Sequence, residues 1–392
     1  MKKLLSLFLA AVIICMSSAN AFALGIVLPL KGDADGNGQI TAADARLILR
    51  ASVGLHTPLI FRKSLYDVDN DGKITASDAR TVLRAAVGLE KLPWQKQSVE
   101  DTAKKISDRT SLEELDRLMN AICNMGSRSV IFPKVNKKAA DFIMEELEKS
   151  GCKPKYQKFS YSSISTGNVI ASLNENENHE EILLLCAHYD CYDGCEGAID
   201  NASGVAALLH TVKILKESSI GFNKEIRIAF FSAEEMGYYG AYHYLASLSQ
   251  SEKDNLTVFN IDMAGNSRLG GGTLLCVSTK SAYGSNAKPN EISLAIDKAK
   301  NTVGNIGESD YYSPIAAGLH DLVPFEKANI PAATLSWREI RPEGSHGSDY
   351  GIASPSQIHT GLDTYENFNM QSLYGTAKLI VNTVVLNYMS EK

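Results

Sequence analysis

The 392-residue sequence has no excess of basic residues: 39 lysines and arginines stand against 45 aspartates and glutamates, for a formal net charge of -6. A protein that binds nucleic acid needs a basic stripe to neutralise phosphates, so we expect no nucleic-acid partner. Long apolar runs are also lacking. After the N-terminal segment, no stretch approaches the ~18 apolar residues of a membrane span. We therefore expect no membrane association once that segment has been removed.

Cysteine is scarce, and the C-x-x-C spacing of a structural zinc ribbon is missing. Of the seven cysteines, Cys15 lies in the N-terminal segment and six follow it. Six cysteines in an exported protein permit disulfides but are too few to form a disulfide scaffold. Cys191 and Cys195 are close enough in sequence to pair across a loop, and free thiols are also compatible with the sequence. The pairing therefore stays open.

Residues 1–23 have the pattern of a secretory signal peptide. Lys2 and Lys3 precede the apolar run LLSLFLAAVIICM, and ANAFA supplies small residues for cleavage near Ala23. The apolar run is short for a bilayer span, which favours cleavage over an uncleaved membrane anchor. The sequence therefore predicts a secreted, extracellular protein.

An internal repeat follows the N-terminal segment. DADGNGQITAADARLILRASVGL begins at Asp33, and DVDNDGKITASDARTVLRAAVGL begins 34 residues later at Asp67. Each unit joins an acidic loop to an apolar pattern of helical period, which ends at Gly54 or Gly88.

Both acidic loops have the features of a calcium site. Oxygen ligands alternate along each loop, Gly38 or Gly72 stands at the sharp turn, and a carboxylate ends the loop. Carboxylates so close together repel one another unless a cation binds. The predicted ligands, with Gln39 and Lys73 acting through their backbone carbonyls, are Asp33, Asp35, Asn37, Gln39, Thr41 and Asp44 in loop 33–44 and Asp67, Asp69, Asp71, Lys73, Thr75 and Asp78 in loop 67–78.

Aspartate at the twelfth loop position and a single helix per loop depart from an ordinary EF-hand pair. The duplicated D-x-D-x-D/N-G and A-D-A-R-x-x-L-R-x-x-V-G-L patterns resemble a type I dockerin over residues 31–92. The resemblance implies a small all-α module that needs two Ca²⁺ to fold and docks to a cohesin module of a scaffoldin. It also implies association with a cellulosome-type complex.

Residues 93–101 show no periodicity and are predicted to be a connector, with a helix starting near Asp101. From 102 to 392, strand and helix signals alternate without a second linker. EILLLCAHYD, EIRIAFFSAEEMG and LTVFNIDMAG are apolar strands that end in polar residues, and NASGVAALLHTVKILKES is a helical pattern. This alternation predicts an α/β sheet with functional side chains at the strand ends.

Several segments bring histidine and carboxylate side chains to predicted strand ends. Each residue alone has an ordinary explanation: Asp200 could cap a helix, and Glu234 and Glu235 could form a solvated turn. Together, imidazole and carboxylate ligands suit zinc with an open position for water or substrate. The candidate residues are His188 and Asp190 in AHYDC, Asp200 in GAIDNASG, Glu234 and Glu235 in SAEEMG, Asp262 in NIDMAG, and His359 and Asp363 in IHTGLDTYEN.

In this order, the motifs resemble the aminopeptidase Y family of co-catalytic di-zinc exopeptidases over roughly residues 165–385. The resemblance implies a three-layer mixed-sheet zinc-exopeptidase domain, phosphorylase/hydrolase-like, with two zinc ions. It further implies that N-terminal residues are hydrolysed from peptides by a metal-activated water, and that the Asp200–Asn201 peptide bond is cis. In the implied roles, Asp200 bridges the two ions, His188 and Asp262 bind one of them, and Glu235 and His359 bind the other. Glu234 is the implied general base. Asp190 orients His188, and Asp363 orients His359.

The sequence departs from the family pattern near the second metal histidine. Ile358 stands where secreted relatives often have an oxyanion-stabilising tyrosine, which leaves Tyr350 as a weak candidate for that role. The S-D-H found before P-F in many relatives is replaced by His320, Asp321 and Leu322. We interpret His320 and His346 as loop or pocket residues.

Three alternatives to an aminopeptidase stay open. A carboxypeptidase would need a basic pocket for the substrate carboxylate, and Arg338 and Arg341 are the visible pointers to one; we interpret both as residues of a solvated loop. A glutaminyl cyclase on the same scaffold would use one zinc ion, against which the complete ligand set argues. An inactive binding module is disfavoured because the ligands and Glu234 are all present.

Overall fold

The computed structural model divides the chain into two compact units, Met1–Glu100 and Asp101–Lys392. The predicted signal peptide lies outside the residues that the structure describes, as do His320, Arg341, His346 and Tyr350. Within the described part, no helix is both long and apolar enough to cross a membrane. The described residues are 30–58, 63–175, 177, 179–270, 272–278, 290–303, 311–312, 321–340, 352–353 and 355–390.

The first unit consists of two equivalent loop–helix repeats with a short helix, Lys63–Tyr66, between them. The repeat helices are Ala42–Ser52 and Ala76–Ala86, and they contact each other. Thr41 and Thr75 cap them in the same way, because each threonine forms a capping box with the aspartate three residues later. Ile48 and Val82, equivalent positions of the two repeats, are both completely buried in the small core of this unit.

A helix runs from Pro93 to Ser107. The segment predicted to be a connector up to Asp101 is therefore helical, and the predicted helix start was too late. Proline is favourable in the first turn of a helix, because its missing N–H has no intrahelical partner there. No glycine or second proline interrupts the segment that follows, so the helix continues even though an apolar period is missing.

The second unit is built on one mixed sheet. Its order is β1-β2-β4-β3-β5-β8-β6-β7, and β9 pairs with β8. The strands among the described residues are β1 Lys155–Tyr161, β2 Ile164–Ser172, β3 Ile182–His188, β4 Glu225–Phe231, β5 Leu256–Ile261, β6 Thr273–Ser278, β7 Tyr311–Tyr312, β8 Ala332–Ile340 and β9 Ile352–Ala353.

The centre of the sheet is parallel: β4, β3, β5 and β8 run in the same direction. The carboxyl ends of these strands therefore lie at one edge. His188, the last residue of β3, pairs with Phe231, the last residue of β4. The polar residues that follow β4 and β5 thus emerge beside His188, as the sequence predicted from its apolar strands.

Helices cover the sheet on both faces. On one face, Ile182, Leu184 and Cys186 of β3 belong to a core with residues of the helices Tyr239–Ser247 and Leu322–Lys327. Alternate residues of β3 point to the other face. The helix Ser203–Ser218 contacts β3 and β5. Because both faces are covered, every residue of β3 is buried, which explains its uninterrupted apolar sequence.

The remaining helices complete the two outer layers. The helix Met370–Tyr388 contacts Ser203–Ser218, and the helix Pro133–Lys149 contacts β2. The predicted three-layer α/β class is confirmed. The other helices of the described residues are Leu112–Cys123, Gln250–Asp254 and Glu291–Val303.

Candidate metal centres

Three strand ends deliver most of the candidate residues to one buried place. His188 ends β3, Glu234 and Glu235 follow β4, and Asp262 directly follows β5. The whole residues His188, Glu234 and Asp262 are 1%, 8% and 3% exposed, so their polar groups are removed from bulk water. Polar side chains are tolerated in such a position only when they are paired or bind an ion.

Asp200 reaches the same place from a different element. It lies in the short segment Ala198–Ala202, directly before the helix Ser203–Ser218, and its peptide bond to Asn201 is cis, as the family resemblance implied. The Asn201 side chain donates to the Ile261 carbonyl (2.9 Å) and accepts from the Met263 N–H (3.1 Å). These bonds tie the segment of Asp200 to the end of β5, where Asp262 stands.

The candidate residues form two adjoining groups. The ligand atoms of His188, Glu234 and Asp262 lie within 4.8 Å of one another, and the same holds for Asp200, Glu235 and His359. Asp200 connects the groups: its Oδ1 lies 3.1 Å from Nε2 of His188, and its Oδ2 lies 3.3 Å from Nε2 of His359. His188 Nε2 is also 3.4 Å from Asp262 Oδ1, and His359 Nε2 is 3.1 Å from Glu235 Oε2.

The pKa values reflect the crowding of carboxylates in this place. Burial raises the pKa of Glu234 well above its usual value, and burial together with the charge of Asp200 raises the pKa of Glu235 to about 7. Hydrogen bonds with Asp200 and Glu235 raise the pKa of His359 to about 10. Each shift reduces the net negative charge of the cluster, which is the role that a bound cation would take over.

A second observation, on Glu235, also indicates a metal ion at these candidate residues. The Oε1 atom of Glu235 is buried and has no hydrogen-bond partner within the described part of the chain. A buried carboxylate oxygen without a donor costs free energy, and coordination of a metal ion would satisfy it. Two imidazoles with four carboxylates are a donor set that suits zinc.

Asp190 contacts the backbone of two of the candidate residues. Its two carboxylate oxygens accept the backbone N–H groups of Glu234 (3.1 Å) and Glu235 (3.3 Å). Its Oδ1 also lies 3.6 Å from Nδ1 of His188, which is longer than a normal hydrogen bond. Asp190 therefore fixes the turn of the two glutamates, and orientation of His188 by Asp190 stays a prediction.

Asp363 contacts the backbone of a different candidate ligand from the one that the family resemblance implies. Its carboxylate accepts the backbone N–H groups of Ile199 (2.6 Å) and Asp200 (3.2 Å). The sequence had assigned this support to His359. The structure instead directs it to the backbone of Asp200, the residue between the two groups.

The interpretation of Arg338 as a solvated loop residue is wrong. Arg338 lies in β8, next to β5 in the sheet, and is 6% exposed. Burial lowers the pKa of Arg338, and the nearby carboxylates of Asp262, Asp200 and Glu234 oppose that effect. The alternation of polar and apolar residues in TLSW before Arg338 was the sequence signal for a strand at this position.

Sequence reasoning also missed Tyr192. Its ring stacks on the His359 imidazole, with ring centroids 4.5 Å apart and an interplanar angle of 15°. Tyr192 is 45% exposed, so it covers one face of His359 from the solvent side. Apart from its aromatic side chain, nothing in the sequence around Tyr192 indicated a role in the site.

The acidic loops of the first unit adopt matching conformations. Asp33, Asp35 and Asp44 bring ligand atoms within 4.8 Å of one another, and so do Asp67, Asp69 and Asp71. Gly38 and Gly72 both have φ of 84°, the left-handed conformation that the predicted turn requires.

The last aspartates of the two loops make the same contact with the threonine that caps each repeat helix. Asp44 accepts the N–H groups of Asp35 (3.1 Å) and Thr41 (2.8 Å), and Asp78 accepts those of Val68 (2.8 Å) and Thr75 (2.8 Å). The two loops therefore match at the threonine contact, while the second backbone N–H comes from Asp35 in one loop and from Val68 in the other, and carboxylates are gathered in each.

Fold and site together define the class: a three-layer α/β domain with two adjoining groups of metal-ligand side chains, preceded in the chain by a small helical module with duplicated acidic loops. Residues 168–384 match the sequence model of peptidase family M28, and the chain belongs to that family. Residues 31–85 match the dockerin type I domain, which confirms the resemblance to a dockerin.

Individual relatives agree with this assignment. The chain is 30% identical over 219 residues to aminopeptidase YwaD of Bacillus subtilis (strain 168), a match that covers 56% of this chain and 44% of that protein. The chain spans about half the length of the curated relatives it matches.

Solved structures show the same fold at low identity. The LapA aminopeptidase of Legionella pneumophila is 17% identical with a TM-score of 0.61, and 75% of each chain is covered. A glutaminyl cyclase of Porphyromonas gingivalis is 20% identical with a TM-score of 0.55, and the match covers 70% of this chain and 98% of that one. The fold therefore accommodates both kinds of enzyme, and the choice between them depends on the site.

Proposed function

We propose that this chain is a secreted di-zinc aminopeptidase, tethered through its dockerin to a cohesin module of a cellulosome-type scaffoldin. The observation that carries the enzymatic part is the position of Asp200. Its two carboxylate oxygens face two different histidines, at 3.1 and 3.3 Å. A carboxylate shared by two metal ions requires this arrangement, whereas a site for one metal ion does not.

The proposed ligands follow from the two groups. Asp200 would serve both ions, and each ion would also be held by one histidine and one further carboxylate. When bound, two zinc ions polarise the scissile carbonyl and make water acidic enough to supply the nucleophile at neutral pH. The proposed sets are His188, Asp262 and Asp200 for one ion and Asp200, Glu235 and His359 for the other.

Glu234 is the proposed general base. It lies beside His188 and Asp262, and burial raises its pKa, which brings the carboxylate closer to the basicity that proton transfer at neutral pH needs. Its carboxylate takes the proton of the attacking water and passes it to the leaving amine. Asp190 positions this base, because it holds the backbone N–H of Glu234.

A relative supports a free α-amine over a free carboxylate in the substrate, because YwaD of Bacillus subtilis, 30% identical over 219 residues, is named an aminopeptidase. Arg338 is the observation that favours the alternative, a carboxypeptidase. However, Asp262, Asp200 and Glu234 all act on Arg338 electrostatically and reduce the positive potential that a substrate carboxylate would meet.

The first unit presents surfaces suited to a protein partner. Three pairs of equivalent apolar residues are exposed to almost the same extent: Leu49 and Leu83 (47% and 46%), Val53 and Val87 (62% and 60%), and Leu55 and Leu89 (67% and 68%). Large apolar side chains exposed in this way are typical of interaction sites. Two Ca²⁺ ions, one in each loop, are proposed to hold the repeat helices that carry them.

A substrate panel tests the enzymatic proposal. Zinc-loaded chain is offered aminoacyl p-nitroanilides with free and acetylated N-termini, an N-blocked dipeptide with a free carboxylate, and a peptide with N-terminal glutamine. We expect hydrolysis only where the N-terminus is free, and loss of activity when a chelator removes zinc. Release of the C-terminal residue from the blocked dipeptide would establish a carboxypeptidase, and pyroglutamate formation would establish a cyclase.

A further inference from the structure

Arg128 is a completely buried arginine that the proposed chemistry does not use. It lies between the helices Leu112–Cys123 and Pro133–Lys149 in the sequence and is 0% exposed. A buried guanidinium group must have its donors satisfied, because desolvation of an unpaired charge is costly. Its hydrogen bonds therefore indicate what the residue is for.

All the hydrogen bonds of the Arg128 guanidinium within the described residues go to backbone carbonyls of one loop. Nε donates to Tyr189 (2.9 Å), Nη1 donates to Glu196 (2.7 Å) and Nη2 donates to Gly197 (2.9 Å). A planar group with five N–H donors can reach three carbonyls at once, whereas the single ammonium of lysine cannot reproduce that geometry.

The loop that Arg128 holds connects the two groups of candidate ligands. Tyr189 directly follows His188, and Gly197 precedes Asp200 by three residues. Arg128 thus fastens both ends of the segment that separates a ligand of the first group from the ligand that the groups share. Tyr192, which stacks on His359, lies within the same loop.

The contacts around this side chain leave little room for another arrangement. The Arg128 backbone N–H donates to Sγ of Cys191 (3.1 Å), and the Asn136 side chain donates to the Arg128 carbonyl (2.9 Å). Gly197 has φ of 63°, and a Cβ atom there would lie 2.5 Å from the Asp200 carbonyl oxygen and 2.9 Å from Nη2 of Arg128. The loop and the guanidinium are therefore fitted to each other.

We propose that Arg128 is a positioning residue that fixes loop 189–197 before metal binds, and so sets the spacing between the two groups of metal ligands. This inference rests on the proposed two-metal function. It differs from a purely structural role in one consequence: the affinity for metal depends on Arg128 even where the fold is intact. Partners that orient metal ligands typically affect metal affinity by about 10–100-fold.

The test compares Arg128→Lys with Arg117→Lys in the full chain. Arg117 lies in the helix Leu112–Cys123, where it pairs with Glu114, and it serves as a control for the same exchange. Metal-free protein is titrated with Zn²⁺ against a chelating indicator, and circular dichroism monitors the fold. We expect Arg128→Lys to bind at least one Zn²⁺ about 10–100-fold more weakly, and its kcat to change more than its KM. Arg117→Lys is expected to keep the wild-type zinc affinity, kcat and KM.

Wild-type zinc affinity in a folded Arg128→Lys variant would overturn the inference, while aminopeptidase activity of the wild-type chain would leave the proposed function standing. A second measurement needs no variant. In hydrogen exchange of the wild-type chain, the amides of loop 189–197 are expected to stay protected after zinc removal, because Arg128 holds the loop without metal. Unprotected amides in the metal-free chain would show that metal, and not Arg128, orders the loop.

Discussion

Replacement of Glu234 by glutamine is expected to abolish hydrolysis while both zinc ions stay bound. Glutamine has nearly the same size and can still form hydrogen bonds, but it cannot accept a proton from water. General acid–base catalysis contributes about 10²–10⁴-fold to such reactions, so kcat should fall by at least that factor. The measurement is kcat on an aminoacyl p-nitroanilide together with the zinc content of the same sample.

Glu235→Gln is the matched control for this prediction. The two glutamates are neighbours on the same turn, and the Asp190 carboxylate accepts the N–H groups of both. Glu235 lies 3.1 Å from His359 and is a proposed ligand, so its replacement should lower the zinc content as well as the rate. Full activity in Glu234→Gln would remove Glu234 from its role, and loss of zinc from that variant would make Glu234 a ligand.

The second large effect is expected in the dockerin: replacement of Asp33 and Asp67 together by alanine should abolish cohesin binding and leave peptidase activity intact. Asp33 accepts the N–H groups of Gly36, Asn37 and Gly38, so it organises its loop as well as offering a ligand. Asp67 accepts the N–H of Gly72 in the equivalent loop. A unit of this size has a small core, so we expect it to depend on bound Ca²⁺ to fold.

Binding to a set of type I cohesin modules, measured by calorimetry with and without Ca²⁺, checks this prediction. The control variant carries Glu113→Ala and Asp141→Ala, which remove the same charge from exposed positions of the second unit. Docking should be lost in the first variant and retained in the control, and both should hydrolyse peptides at the wild-type rate. Unaltered docking of the Asp33 and Asp67 variant would contradict a calcium-dependent dockerin.

The sequence predicted those parts of the structure that depend on local pattern. Apolar strands that end in polar residues placed His188 and Asp262 at one edge of a parallel sheet, and the in-register repeat gave two equivalent loops. The start of the helix at Pro93 was predicted too late because residues 93–101 show no apolar period, and pattern reasoning detects a helix by that period. The sequence also gave no reason to place Arg338 beside the acidic residues, because the neighbours of a strand depend on sheet order.

The contacts that position the site residues could not be predicted from the sequence, for a related reason. Arg128 donates to three backbone carbonyls, and backbone groups are the same at every residue, so no sequence motif marks the acceptors. The family resemblance assigns Asp363 to His359, whereas the fold places it against the N–H groups of Ile199 and Asp200. Sequence motifs indicate which side chains take part, whereas the tertiary structure determines which of them touch.

The central claim is that the two ligand groups joined by Asp200 hold two metal ions. Zinc content per chain, measured by elemental analysis after equilibration with trace zinc and removal of loosely bound metal, tests it most directly. The geometry predicts about two zinc ions per chain in the wild-type protein, and fewer in Asp200→Asn, because the amide keeps a single oxygen and cannot serve both ions. A wild-type count near one would contradict the shared-carboxylate site and favour the one-zinc chemistry of a cyclase.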